Sequence, residues 1–451
     1  MVADDNNKSA TVEITTLTNG GDGLGRVDGK AVFVGVTAPG DVVQCELTVV
    51  KKRYAKGRLL QVITPSVARI KPECAHFATC GGCDWQMLSY ADQCVWKERL
   101  LRENCQHQLK MDEAVFQPLL ASDAQHGYRS RVQLKCSCDI NGFKLGFYQR
   151  GSHKVVDVTS CPVADARINQ LLPQLRQLFV DSKYAQQINQ IDVAVGDGGR
   201  PRVVFHHSFS RNVRSGSHGR LPSLNSFCAT LKNMVGKLDF ACCVQDESGK
   251  LHHIQGEYDI YIEVGTPMLR LAYAPGGFAQ INLQQNRVLV DLVVEAARSA
   301  VSPAFEFTVL DLYCGMGNFS LPLARYAKKL IGVESYADSI KYAKSNAAQN
   351  GITNATFKLA NVADYVRQLV NKSISYDVVV LDPPRAGAKE ALAGLLALKP
   401  RRIIYVSCDQ QTLLRDIQVL VADNYRLTSI QPLDMFPQTA HTEVVAVMDF
   451  V

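Results

Sequence analysis

The chain has 451 residues, 47% of them hydrophobic, and 49 basic residues against 43 acidic ones give a net charge of +6. That is too long for one ordinary core, so two to four folded domains are expected. No apolar run approaches the length of a membrane span, and Met1–Asp5 lack a basic-then-apolar signal, so a cytoplasmic protein is expected.

Residues 11–64 form short alternating runs: Thr11–Ile14, Ala31–Val34, Val42–Leu47 and Gly57–Ile63. Turns rich in Gly, Asn, Asp and Pro separate them, a pattern that predicts a small β-barrel. The stretches Gly20–Arg26, Pro39–Asp41 and Lys51–Ala55 resemble a TRAM domain, an OB-like RNA-binding barrel. From Lys51 to Lys71 there are seven Lys/Arg and no Asp/Glu. Such a run attracts phosphate without reading sequence, and Tyr54 adds a ring for base stacking.

A cysteine-rich link follows, with Cys74, Cys80, Gly81, Gly82 and Cys83, and later Cys161-Pro162. Fourteen cysteines in a large chain without a secretory signal point to metal or catalytic use rather than disulfides. Four of them give a thiolate set whose spacing suits an iron–sulfur cluster and does not exclude zinc. Cys94, Cys105, Cys242 and Cys243 read as filling apolar sites.

The central region, about 100–275, carries strand-like pieces at Ser130–Lys135, Leu145–Tyr148 and Ile191–Val195, with helical stretches near 164–179 and 221–235. Residues 206–220 read as a mobile loop. Tyr128–Arg131 and Gln149-Arg150 are candidates for holding phosphates.

From about 285 strands and helices alternate. Helix 284–300 precedes strand Phe307–Leu312. Then come strand 329–334, helix 336–350, strands 355–359 and 376–382, helix 387–397 and strand 401–406. An antiparallel pair, 426–431 and 443–449, closes the series. This predicts a doubly wound sheet. The fold class expected is therefore multidomain α/β, divided as 1–65, 66–275 and 276–451.

Asp311–Phe319 turns that first strand into a helix through a glycine loop, where small residues let backbone approach a ligand. Glu334 ends the second strand with a carboxylate suited to a ribose diol. Asn361, after the third strand, could reach an adenine edge, and Asp382 closes the fourth. The set resembles a class I S-adenosylmethionine methyltransferase.

The acceptor is narrowed by Asp382-Pro383-Pro384-Arg385. Exocyclic-amine methylation uses an aromatic where Arg385 stands, and cytosine-C5 methylation usually places a cysteine in that loop. Carbon 5 of uracil is a poor nucleophile until a thiolate adds at C6, and a base must later remove the C5 proton. A cysteine after a strand is ordinarily packing. Here Cys408 ends an apolar strand, and Glu443 supplies the second group at the same sheet edge.

Gly277–Asn282, Asp311–Phe319, Asp382–Gly387, Tyr405–Cys408 and Phe436–Glu443 together resemble the uracil-C5 RNA methyltransferase family, in its iron–sulfur 23S rRNA branch, over nearly the whole chain. The resemblance implies Cys408 as nucleophile and Glu443 as C5-proton base. It implies Gln280, Tyr313, Asn318, Glu334, Asn361 and Asp382 around S-adenosyl-L-methionine. It also implies a structural [4Fe–4S] cluster on Cys74, Cys80, Cys83 and Cys161, a monomer acting on 23S rRNA, and uridine 1939 as acceptor. Another rRNA or tRNA uridine, or a non-catalytic RNA-binding iron–sulfur protein, are the alternatives. Asp409-Gln410 departs from the family's common Asn-Pro and puts a second carboxylate beside the thiol.

Overall fold

Five strands close the N-terminal barrel: β1 (Ser9–Leu17), β2 (Gly23–Val27), β3 (Lys30–Val34), β4 (Val42–Val50) and β5 (Tyr54–Thr64), in the order β1-β2-β3-β5-β4. The computed structural model describes residues 9–140, 142–208, 223–257, 259–300 and 306–451. Alternate residues Val12, Ile14, Val32, Val34, Val43, Cys45 and Ala55 point inward and fill the barrel. At Gly25 a Cβ would meet the carbonyl oxygen of Glu13 at 2.1 Å, so β1 and β2 pair closely only with glycine there. The barrel is closed below by Asp41, which accepts from Ala38 N at 2.7 Å, Ser66 N at 2.9 Å and Arg69 Nη2 at 2.7 Å. Burial would raise that carboxyl, but the Arg69, Ser66 and Ala38 bonds outweigh it and hold it below the usual range.

The central sheet runs β6 (Arg131–Asp139), β7 (Gly142–Tyr148), β8 (Val155–Asp157), β9 (Ile188–Ala194), β10 (Arg202–His207), β11 (Ala241–Gln245) and β12 (Leu251–Gln255), in the order β12-β11-β10-β9-β6-β7-β8. Helix α1 (Tyr90–Leu109) precedes this sheet; α2 (Ala166–Gln177) and α3 (Leu224–Val235) cover one face of it. Val132, Leu134, Ile191, Val193, Val203 and Phe205 meet Leu171, Leu172, Leu175, Phe227 and Leu231 in that core. Because side chains alternate, Gln133, Lys135, Gln190, Asp192, His206 and Tyr148 fall on the opposite face. Of the predicted loop 206–220, His206 and His207 belong to β10, and 209–220 lie outside the described residues.

A hairpin, β13 (Ile260–Val264) and β14 (Leu269–Tyr273), leads into the last sheet. Its strands are β15 (Phe307–Leu312), β16 (Ala327–Glu334), β17 (Ala355–Leu359), β18 (Val378–Leu381), β19 (Arg402–Ser407), β20 (Tyr425–Leu433) and β21 (Glu443–Phe450). The order β17-β16-β15-β18-β19-β21-β20 reverses between β15 and β18, which makes a switch point at their carboxyl ends. Helices α4 (Leu283–Arg298), α5 (Ser320–Ala324), α6 (Ala337–Gln349), α7 (Val362–Asn371), α8 (Lys389–Leu398) and α9 (Gln410–Val421) accompany these strands. The predicted doubly wound sheet is present, α5 follows the glycine loop as expected, and α7 and α9 are additions that the apolar pattern did not reveal. Leu101, Cys105 and Phe116, from α1 and the segment after it, pack with Tyr405, Ile417 and Ile430 in one core. The α1 region is thereby built onto the C-terminal sheet. Cys242 and Cys243 are fully buried as well, as expected of cysteines used for packing.

Candidate active site and cysteine centre

The loop after β15 turns with positive φ at Tyr313 (66°), Gly315 (55°) and Gly317 (97°). A Cβ on Gly315 would enter open space, whereas one on Gly317 would press on Leu321 at 3.1 Å. Gly315 N donates to Glu334 Oε2 at 3.3 Å, and Glu334 Oε1 accepts from Ser335 N at 2.6 Å and Tyr336 N at 2.9 Å. The carboxylate is thus fixed against the loop at the end of β16. Asp311 is fully buried; Ser320 donates to its Oδ2, while Oδ1 has no partner. Burial pushes this carboxyl up to about 7. An orphaned buried oxygen under an open glycine loop fits a loop built to receive a ligand.

The other expected cofactor residues differ in commitment. Gln280 is buried on the loop entering α4. Asn361 is exposed and caps α7, accepting from Asp364 N at 3.1 Å, which uses its oxygen and leaves its amide as donor. Asn318 makes a reciprocal amide pair with Asn286, at 2.9 and 3.0 Å, so its side chain is already occupied. Asn286 carried no signal in sequence because it reads as one polar position on a helix.

Asp382, Cys408 and Glu443 meet at the carboxyl ends of β18 and β19 and the start of β21. Leu381 is level with Tyr405, and Ser407 pairs with Val444, so one step further sets Cys408 opposite Glu443. Glu443 is 2% exposed, and burial, then Asp382, drive its carboxyl well above the ordinary value. Burial pushes Asp382 up to about 7, with Asp311 adding to it. The Cys408 thiol is pushed up to about 11, by burial first and then Glu443 and Asp382, with the Arg385 guanidinium acting against them. Asp409 Oδ1 accepts from Thr412 N at 2.9 Å and caps α9, while the charges that shift the thiol are those of Glu443, Arg385 and Asp382. The concern raised by that second carboxylate is met by its use as a cap. His441 lies in the same mouth, within the field of Arg385, Asp84 and Asp409.

Cys74, Cys80, Cys83 and Cys161 line one cavity, together with Phe77 and Arg129. Burial raises Cys83 to about 12, and Cys161 and Cys80 add to that shift. Among the described residues no group of three or more His, Cys, Asp or Glu is arranged to hold a metal ion. The loop is zipped to the end of β7: Gly81 N donates to Tyr148 O at 2.9 Å, and Arg150 N to Thr79 O at 3.0 Å.

The same loop grips the segment before Glu443. Asp84 N and Trp85 N donate to Gln438 O at 2.9 and 3.1 Å. Gln93 Nε2 donates to Gln438 Oε1 at 3.0 Å, and Gln438 N returns a bond to Gln93 Oε1 at 2.9 Å. Lys97 Nζ lies 2.6 Å from Asp434 Oδ1, both side chains fully buried, and also donates to Phe436 O at 3.0 Å. Tyr128 OH donates to Pro437 O at 2.9 Å. Tyr128 is therefore a brace, as are Arg131, on Gly277 O and Asp192, and Arg150, on Asp84 and Cys83 O. In the basic run, Arg69 is spent on Asp41, whereas Lys51, Lys52, Arg53, Tyr54 and Lys56 are exposed on or beside the β4–β5 hairpin.

A family model described as tRNA (Uracil-5-)-methyltransferase matches residues 90–449, and one described as TRAM domain matches residues 6–60. The chain is 32% identical over 444 residues to the 23S rRNA (uracil(1939)-C(5))-methyltransferase RlmD of Vibrio campbellii, covering 98% of this chain and 97% of that one. It is 34% identical over 440 residues to RlmD of Vibrio cholerae, covering 97% and 95%. The crystal structure of Pyrococcus abyssi tRNA (uracil-54, C5)-methyltransferase with S-adenosyl-L-homocysteine is similar at a TM-score of 0.73 and 25% identity, covering 97% of this chain and 100% of that one.

Proposed function

The chain belongs to the tRNA (uracil-5-)-methyltransferase family, and from that premise we propose that it methylates C5 of uridine 1939 in 23S rRNA with S-adenosyl-L-methionine as donor. The observation that carries the chemistry is the juxtaposition of Cys408 and Glu443 across the β19–β21 ladder. The cofactor supplies an electrophilic methyl group. Glu334 would hold its ribose, the Asn361 amide its adenine, and the Gly315 loop its amino-acid part, with Tyr313 and Gln280 flanking and Asn318 bracing the loop through Asn286.

Cys408 Sγ, as thiolate, forms a bond to uracil C6, and the electron pair of the C5=C6 bond moves into an enolate. The enolate's electron pair then forms the bond from C5 to the methyl group, whose bond to the donor's sulfur breaks to leave S-adenosyl-L-homocysteine. Glu443 removes the remaining proton from C5, the C5=C6 double bond re-forms, and the C6–S bond breaks to return the thiolate. Arg385 offsets the two carboxylates that oppose thiol ionisation, and Asp382 faces the uracil. Extrusion of the uridine from folded RNA is required to reach a half-buried thiol.

Cys74, Cys80, Cys83 and Cys161 would hold a [4Fe–4S] cluster. Their gathering around one cavity supports a thiolate-held centre, and the Cys161-Pro162 step and the paired glycines between Cys80 and Cys83 favour a cluster over zinc. Its role is structural: the Asp84–Gln438 bonds carry the loop's position to the segment bearing Glu443. The exposed barrel hairpin holds RNA phosphate, and the protein works as a monomer in the cytoplasm. No helix among the described residues is long and apolar enough to cross a membrane.

A tRNA acceptor is the second reading, because a tRNA enzyme matches 97% of this chain, barrel included. Incubation with labelled cofactor and with 23S rRNA and tRNA from strains lacking the respective methyl groups separates the two. Label in 23S rRNA at uridine 1939 supports the first reading, and label in tRNA alone removes it.

A further inference from the structure

The central sheet has one face sealed by helices and the other open at its β6–β7 end, while Asp192 and Arg202 on that second face are buried. Helices α2 and α3 cover the first. The second presents Gln133 and Lys135 from β6, Tyr148 from β7, Gln190 and Asp192 from β9, and His206 from β10. Register places these side chains in one row: Gln133 is paired with Asp192, Lys135 with both Gln190 and Gly146, and Gln190 with His206.

At the β7 end this face deepens into a groove bounded by Gly81 and Gly82 of the cysteine loop and by Tyr148, Arg150 and His153. Tyr148 is 38% exposed. His153 meets it edge-on at 5.2 Å, and Lys135 Nζ stands 5.4 Å from its centre. The rim is tight, since a Cβ on Gly81 would meet Tyr148 O at 3.2 Å. At the other end Arg131 donates to Gly277 O at 2.9 Å, on the loop that carries Gln280. The same face is thereby tied, beyond the groove, to the loop that leads into the active site.

A sheet with helices on one side, and with an exposed ring beside a lysine on the other, suits unpaired nucleotides: a base stacks on the ring and a phosphate meets the ammonium. We propose that the open face of the central sheet, centred on Tyr148, His153 and Lys135, is a binding platform for single-stranded RNA flanking the methylated uridine. The inference rests on the RNA-methyltransferase reading for its RNA, but the platform itself is independent of the chemistry. Tyr148 supplies the stacking surface, His153 the second ring, and Lys135 a phosphate contact. Arg150 is excluded as a contact because it clamps Asp84.

The probes are a fluorescent twelve-nucleotide oligouridylate and a 23S rRNA fragment containing uridine 1939 with its single-stranded flanks. Anisotropy gives the affinity of the full chain and its Tyr148→Ala, Tyr148→Phe and Lys135→Ala variants. Tyr148→Ala is expected to weaken oligouridylate binding about tenfold, with Tyr148→Phe retaining it, since stacking needs the ring and not the hydroxyl. Lys135→Ala is expected to weaken binding several-fold and to flatten its salt dependence. Unchanged affinity in Tyr148→Ala overturns the proposal, and so does an equal loss in Tyr148→Phe. Methyl transfer by the unsubstituted protein to the 23S fragment is measured in parallel. If that fails while the Tyr148 pattern holds, the platform stands and the assigned acceptor falls.

Discussion

Cys408 and Glu443 face each other across the β19–β21 ladder, one step beyond the last paired residues, Ser407 and Val444. Directly opposed residues in such a ladder hold their Cβ atoms about 5 Å apart. One uracil ring set between them can have C6 toward the sulfur and C5 toward the carboxylate.

The first expectation separates these two roles. Cys408→Ala should abolish both methyl transfer and covalent attachment of RNA. Glu443→Gln should still form the bond at C6 and accept the methyl group, but lose proton removal, lowering turnover by about 10²–10⁴. A gel-shifted protein–RNA band that persists under denaturing conditions should accumulate only in Glu443→Gln.

The second concerns the thiol. With Cys408 raised to about 11, its alkylation by iodoacetamide should climb roughly tenfold per pH unit from pH 7 to pH 9, without a plateau in that range. Arg385→Gln should slow the reaction at each pH, because the charge favouring thiolate is gone. Peptide mass mapping of the modified cysteine reads both effects. A plateau below pH 8 would mean that the carboxylates do not control the thiol.

Asp382 links function to stability. Its folded-state value, about 7, lies above the ordinary 3.8, so the native protein binds more protons than the unfolded chain between those limits. Stability contributed by the protonated form is present below about pH 4 and is lost as pH rises to about 7. Asp382→Asn should therefore raise the unfolding midpoint more at pH 8 than at pH 5, while impairing methylation. An equal shift at the two pH values would contradict the assignment.

The C-terminal sheet was legible because its central parallel strands carry apolar runs, such as Val378–Leu381 and Ile403–Val406, that alternate with helical stretches. Predicted strand Phe307–Leu312 coincides with β15, and the predicted final pair corresponds to β20 and β21. Strands β10 to β14 escaped notice because each is only five or six residues long, and β10 and β11 are buried on both faces and so show no alternation. Helix α9 was hidden by its cap, since Asp409 followed the cysteine and drew attention as a charge. Of the braces of the site, Tyr128, Arg131 and Arg150 drew notice as phosphate contacts, and the long-range pairs had no sequence signal. Gln93 and Gln438 are 345 residues apart, and Lys97 and Asp434 are 337 apart, so only folding reveals them as partners.

That buried pair carries its own expectation. Lys97→Ala would leave Asp434 ionised without its partner, at a cost of about 3–5 kcal/mol. Urea unfolding should show the loss, and the Lys97→Ala, Asp434→Ala double variant should recover part of it. Equal stability of the single and double variants would show that the pair is not coupled.

Removal of a cysteine ligand tests the centre. Cys83→Ser should lose iron and brown absorbance, and protease cleavage near Gln438 should rise as Asp84 lets go. Retention of full iron content would contradict a cluster at this cavity.

The most direct measurement is the mass of the RNA-linked peptide trapped by Glu443→Gln with S-adenosyl-L-methionine and the 23S rRNA fragment. The account predicts a methylated uridine nucleotide attached to the tryptic peptide containing Cys408. Attachment to another cysteine, or normal methyl transfer by Cys408→Ala, would contradict it.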